Sequence, residues 1–108
     1  MSNFLIEEFE NYKVFLYGKR SEGQQTDYGV DIKLPSGKAH LRFCKNWMGD
    51  NSVEEVNGKK IFYIYLRAEK YPAFIDLLRN EKPLFFYYEF EGDLFYITTS
   101  DEPVGEAE

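Results

Sequence analysis

The feature that most constrains this chain is its alternation: short runs in which every second residue is apolar, each ended by Gly, Asn or Pro. The clearest unit runs from Tyr28 to Lys45. Tyr28, Val30, Ile32 and Leu34 alternate with Gly29, Asp31 and Lys33; beyond Pro35-Ser36-Gly37-Lys38, residues Ala39, Leu41 and Phe43 alternate with His40, Arg42 and Cys44. A fold at Ser36-Gly37 pairs Leu34 with Ala39, Ile32 with Leu41 and Val30 with Phe43, and sets Asp31 against Arg42. That register satisfies an apolar face and a cross-strand charge pair together. A second hairpin is predicted at Asn57-Gly58, a dipeptide that accepts the positive φ angles of a type I′ turn, with Glu55 opposite Lys60. A third joins Leu84–Phe90 to Leu94–Ser100 through Glu91-Gly92-Asp93, and Tyr12–Gly18 reads as a first strand. Residues 2–9 fit either a short helix or an extension of that strand.

The period changes once. Tyr71, Phe74, Ile75 and Leu78 fall at i, i+3, i+4 and i+7, which predicts an amphipathic helix over about 71–81. Pro72 suits its first turn, where a missing N–H costs nothing, and Pro83 forbids its continuation. A lone apolar stripe of this kind requires a sheet to pack on. The expectation is a mainly β, α+β fold: a small, strongly curved antiparallel sheet or barrel of six to seven strands, with the helix before the last hairpin. In element order alone this resembles the OB-fold, where a helix precedes the final strands.

A chain of 108 residues has room for one domain. Residues 1–100 are read as that domain and 101–108, with four carboxylates and one large apolar residue, Val104, as an acidic, disordered tail without core contacts. The ten Phe and nine Tyr suit a pleated sheet better than a helical bundle. Charge is uneven. Residues 11–48 hold seven Lys and Arg against three Asp and Glu, a net +4; residues 84–108 hold seven carboxylates and no Lys or Arg, a net −7. The start, with Phe4-Leu5-Ile6 among carboxylates, has the wrong charge for a secretory leader, and no apolar run approaches the ~20 residues of a membrane helix. A cytoplasmic protein with no membrane association is expected.

Catalytic chemistry finds little purchase. His40 is the single histidine and Cys44 the single cysteine; four residues apart on one strand they lie about 13 Å apart, too far to ligate one ion. No nucleophile elbow surrounds Ser36, Ser52 or Ser100, and no glycine-rich cradle feeds a helix. Cys44, flanked by Arg42 and Lys45, reads as a half-buried strand residue. A non-enzymatic chain is expected, without cofactor or metal.

What remains is the rings. The last hairpin carries them on both faces, and a sheet turns only one face to a single core. The principal expectation is a protein-interaction module, self-associating or binding another protein through outward rings drawn from Phe15, Tyr17, Phe85, Tyr87 and Tyr96. The alternative is an OB-like binder of single-stranded nucleic acid or nucleotide, with Lys13, Lys19, Arg20, Arg42 and Lys45 on phosphates and Tyr17, Phe43 or Trp47 against bases. A third reading makes the acidic end a nucleic-acid mimic or inhibitor.

Overall fold

A computed structural model describes residues 3–16, 26–45 and 49–100. They form eight strands and one α-helix: β1 (Phe4–Phe9), β2 (Tyr12–Leu16), β3 (Thr26–Leu34), β4 (Gly37–Cys44), β5 (Ser52–Val56), β6 (Lys59–Arg67), α1 (Tyr71–Asn80), β7 (Leu84–Glu89) and β8 (Leu94–Thr99). A single 3₁₀ turn, Ala68–Lys70, leads into α1. The strands make two sheets, β1-β7-β8 and β2-β3-β4-β6-β5.

The alternating runs fold where the pattern places them, because each puts its apolar set on one inner face. From the five-stranded sheet come Val30, Ile32, Ala39, Leu41, Phe43, Phe62 and Ile64, all with no exposure; from the three-stranded sheet come Phe9, Leu84, Phe86 and Tyr88. Phe62 joins the layers, its ring centre 5.0 Å from those of both Phe86 and Tyr88. The Tyr88 hydroxyl is not left orphaned: it donates to Asp93 Oδ1 at 2.6 Å. Burial first, and then that carboxylate, push the Tyr88 phenol well above its ordinary pKa.

The helix follows the sequence pattern closely. Phe74, Ile75 and Leu78 are buried, Pro72 lies in the first turn, and Glu81 caps the end through its N–H to the Leu77 carbonyl at 3.1 Å. Phe74 packs edge-on against Phe43, and Tyr71 stacks on Tyr28 with 4.0 Å between centres. Burying three such side chains stabilises the arrangement by roughly 5–9 kcal/mol before entropy.

The strands number eight in two sheets, where six to seven in one sheet or barrel were expected, and three further expectations are corrected. The sheets do not close into a barrel, so the OB-like order does not become an OB-like architecture. The reason is β1, which pairs antiparallel with β7 from Phe4↔Glu89 to Phe9↔Leu84 and builds a separate layer with β8. Helix α1 carries the chain across Phe43 toward that layer and not to the free edge of β5. Second, the hairpin β3–β4 is displaced by two residues from the expected register: Leu34 faces Gly37, Ile32 faces Ala39 and Val30 faces Leu41. A shift of two keeps every side chain on its expected face, but moves the turn to Pro35-Ser36. Gly37 is needed elsewhere, because a Cβ there would overlap the Lys60 backbone carbonyl of β6. Glu7 of the other sheet holds this turn, accepting from Ser36 N–H at 3.2 Å and Ser36 Oγ at 2.9 Å. Third, β4 and β6 run parallel, with Gly37↔Lys60 through Cys44↔Arg67, so the structure is not wholly antiparallel. The hairpin at Asn57-Gly58 forms as expected, with φ of 52° and 79° at its two residues and Glu55 opposite Lys60.

Candidate functional site

The two sheets spend their inner faces on one core, so function falls to the outer faces, and these differ in chemistry. On the three-stranded sheet the register sets Phe4, Glu89 and Leu94 side by side, then Ile6, Tyr87 and Tyr96, then Glu8, Phe85 and Thr98. Phe4 stacks on Tyr87 at 5.4 Å and Tyr87 on Tyr96 at 4.3 Å, making a continuous shelf of three rings. Four of the seven exposed large apolar residues among the described residues lie here: Phe4 (42%), Ile6 (51%), Leu94 (50%) and Tyr96 (44%). β1, β7 and β8 contain no Lys or Arg. The face is therefore apolar at its centre with Glu8 and Glu89 at its margins. Partial loss of water raises the Tyr87 phenol above its ordinary pKa, and Tyr96 and Glu89 add to that shift.

The outer face of the five-stranded sheet is polar and largely cationic. Across it run Lys13, Asp31, His40, Tyr63 and Ser52 in register, with Lys33, Lys38, Ile61 and Glu54 in the next row. Asp31 is the hub: its Oδ1 lies 2.9 Å from His40 Nδ1 and 3.4 Å from Arg42 Nη1. The expected pairing of Asp31 with Arg42 thus forms, but diagonally, since His40 occupies the position directly across. Arg42 also donates to the Leu41 carbonyl at 3.1 Å. Tyr63 donates to Glu54 at 3.2 Å, and its ring lies 5.6 Å from that of His40. Desolvation and then this hydrogen bond raise the Tyr63 phenol. Below this centre an open groove of about 660 Å³ is lined by Lys13, Lys33, Lys38 and Lys59 around Val56 and Ile61.

The sequence-derived ring set divides between the faces. Phe85, Tyr87 and Tyr96 belong to the three-stranded sheet, with the first two half-buried. Phe15 does not join them: it sits on β2, opposite Gly29 in the other sheet, with the Lys13 ammonium 5.5 Å from its ring centre. Tyr17 lies outside the described residues. Phe4, Ile6 and Leu94 were missed because nothing local shows that β1 lies beside β7. Of the expected anion contacts, Lys13 and Arg42 share the outer face of the five-stranded sheet, but Arg42 is engaged with Asp31. Lys45 is exposed just beyond β4, while Lys19, Arg20 and Trp47 lie outside the described residues. Phe43 is buried against the helix and presents no face to a base. Lys33, Lys38 and Lys59 were missed; what would have found them is the true register of the β3–β4 turn for the first two and the parallel pairing of β4 with β6 for Lys59.

Cys44 is buried, its thiol 3.8 Å from the Arg42 carbonyl. Among the described residues no group of three or more His, Cys, Asp or Glu is placed to hold a metal ion, and no helix is long and apolar enough to cross a membrane. The acidic segment 101–108 lies outside the described residues.

The class these features define is a mainly β protein of eight strands in two sheets with one helix. No protein-family model matches the chain, and no curated protein or solved structure matches it.

Proposed function

We propose that the chain is a protein-interaction module that binds a different protein through the outer face of β1-β7-β8. The observation that carries this reading is the ring shelf Phe4–Tyr87–Tyr96 with Ile6 and Leu94 beside it, all on one face. Three strands ~4.8 Å apart and six residues long make a field of about 15 by 20 Å. Apolar patches of a few hundred Å² on a soluble protein mark binding surfaces. A field of this size supplies the desolvated centre of an interface, not the ~800 Å² per partner of a complete one. The remainder falls to its rim, where the strands themselves carry Glu8 and Glu89 and no Lys or Arg. Charge complementarity therefore calls for a partner with an apolar centre and a Lys- and Arg-bearing margin. A second copy would bring together two acidic margins on two chains of net charge −6, which disfavours self-association.

The test is photocrosslinking in the native cell from a benzophenone side chain placed at Tyr96, followed by binding measurements with the purified crosslinked protein. Tyr87→Ser and Glu89→Lys are each expected to weaken that binding at least tenfold while leaving the melting temperature nearly unchanged. Binding that is indifferent to both substitutions overturns the assignment. A concentration-dependent dimer in sedimentation that Tyr87→Ser abolishes replaces the partner with a second copy.

A further inference from the structure

The cationic groove on the opposite side of the molecule obeys a different logic. Lys33 and Lys38 stand directly across from one another in the β3–β4 ladder, where like charges destabilise a pair of strands. Lys13 and Lys59 line the same groove. Of the carboxylates on this face, Asp31 is already held by His40 and Arg42 and Glu54 accepts from Tyr63, and among the described residues no ion pair neutralises Lys33, Lys38 or Lys59. All four lysines are exposed, so nothing in the core is gained by their crowding. A local rule broken without an internal gain marks a surface shaped for a ligand.

We infer that this groove binds single-stranded nucleic acid, with Lys13, Lys33, Lys38 and Lys59 on the phosphates and the Tyr63 ring as a stacking surface for a base. Lysines supply mobile point charges, which track a phosphate chain without fixing its sequence. Tyr63 occupies the next outward position along β6 from Ile61, which lines the groove, and its half-exposed ring lies beside that of His40. A positive groove combined with a flat ring is the pattern of sequence-tolerant single-strand binding. The net charge of −6 does not oppose it strongly. Glu89 lies on the far side of two layers packed ~10 Å apart, about one Debye length at 0.1 M salt, whereas Glu8 and Glu10 approach the groove at its Lys33 end.

The experiment is fluorescence anisotropy of the full chain with a labelled twelve-residue oligo-dT, a duplex of the same length, and inorganic polyphosphate as competitor. Oligo-dT is expected to bind in the micromolar range at ~50 mM salt, with a slope of log K against log salt of about −3 for four single-strand phosphate contacts. Lys33→Gln/Lys38→Gln should cut that slope to about −1.4 and weaken binding at least tenfold. Tyr63→Thr, which keeps strand propensity, should weaken oligo-dT about tenfold while Tyr63→Phe retains it. No binding at low salt, or binding indifferent to the paired lysine substitution, overturns the site. Equal competition by polyphosphate together with no effect of Tyr63→Thr overturns the nucleic acid as its occupant. If Tyr63→Thr fails to fold, Tyr63→Phe and the polyphosphate competition decide the occupant.

Discussion

The outer faces of the two sheets are built from the same kind of strand and end in opposite chemistry. β3 and β4 alternate between Val30 and Leu41, so that Val30, Ile32, Ala39 and Leu41 turn inward while Asp31, Lys33, Lys38 and His40 turn to the outer face. β7 does not alternate in polarity: Phe86 and Tyr88 turn inward, and Phe85 and Tyr87 turn outward as well. The first arrangement is what solvation asks of a half-covered sheet. The second leaves half-buried rings where solvation alone favours polar residues, covered only in part by their neighbours on the same face. The comparison separates the two kinds of unfulfilled demand a surface can carry. One face lacks an apolar cover; the other lacks negative charge.

The sharpest way to break this comparison lies at two adjacent residues of β7. Tyr88→Ala should cost about 3–5 kcal/mol, because it removes a fully enclosed ring from between the two sheets. Tyr87→Ser should cost about 1 kcal/mol or less. Urea denaturation measures both, and equal losses would mean that the outer rings are core after all. The same tyrosine gives a pH signature. Its folded-state pKa is raised, so above pH ~10 the unfolded chain releases a proton that the folded chain retains. Stability present below pH 10 should therefore fall as pH rises, and Tyr88→Phe should flatten the fall.

A middle-sized effect tests the other face. Asp31→Asn removes the carboxylate that His40 and Arg42 share, at a site about one quarter exposed. A loss of about 1 kcal/mol is expected after allowance for solvent screening. A loss near zero would show that the three groups are independently solvated. The smallest effect has the opposite sign. Lys33→Glu should stabilise the hairpin by about 0.5 kcal/mol, by replacing a like-charge pair with an attractive one. Added salt should narrow the gap between variant and wild type, since screening relieves the repulsion that only the wild type carries. A destabilised variant would contradict the strain on which the groove assignment rests.

How much of this was legible follows from the range of the interactions involved. The helix was legible to within a residue because its stripe, Pro72 and Pro83 are all local. The Asn57-Gly58 hairpin was legible for the same reason. The β3–β4 faces were legible, but not their register, because the apolar pattern repeats every two residues and Gly37 looked like a turn residue. What requires glycine there is β6, more than twenty residues away in sequence and running parallel. Phe85, Tyr87 and Tyr96 could be named from the last hairpin alone. Phe4 and Ile6 could not, since β1 shows a short apolar run and conceals its partner. Lys33 and Lys38 were hidden by the two-residue shift that sets them opposite one another, and Lys59 by the parallel pairing of β6 on β4.

The pairing of β1 with β7 has a consequence for the life of the chain before it is folded. Phe4 finds its neighbour only once Glu89 exists. At ~5–20 residues per second, synthesis takes several seconds to supply that neighbour. Throughout that interval Phe4-Leu5-Ile6 is an unclaimed sticky strand, able to pair with any edge it meets. Glu7, Glu8 and Glu10 follow it immediately, and flanking charges of this kind act as gatekeepers against aggregation. The same carboxylates that later steady the Ser36 turn and edge the ring shelf thus first serve as a chaperone written into the chain.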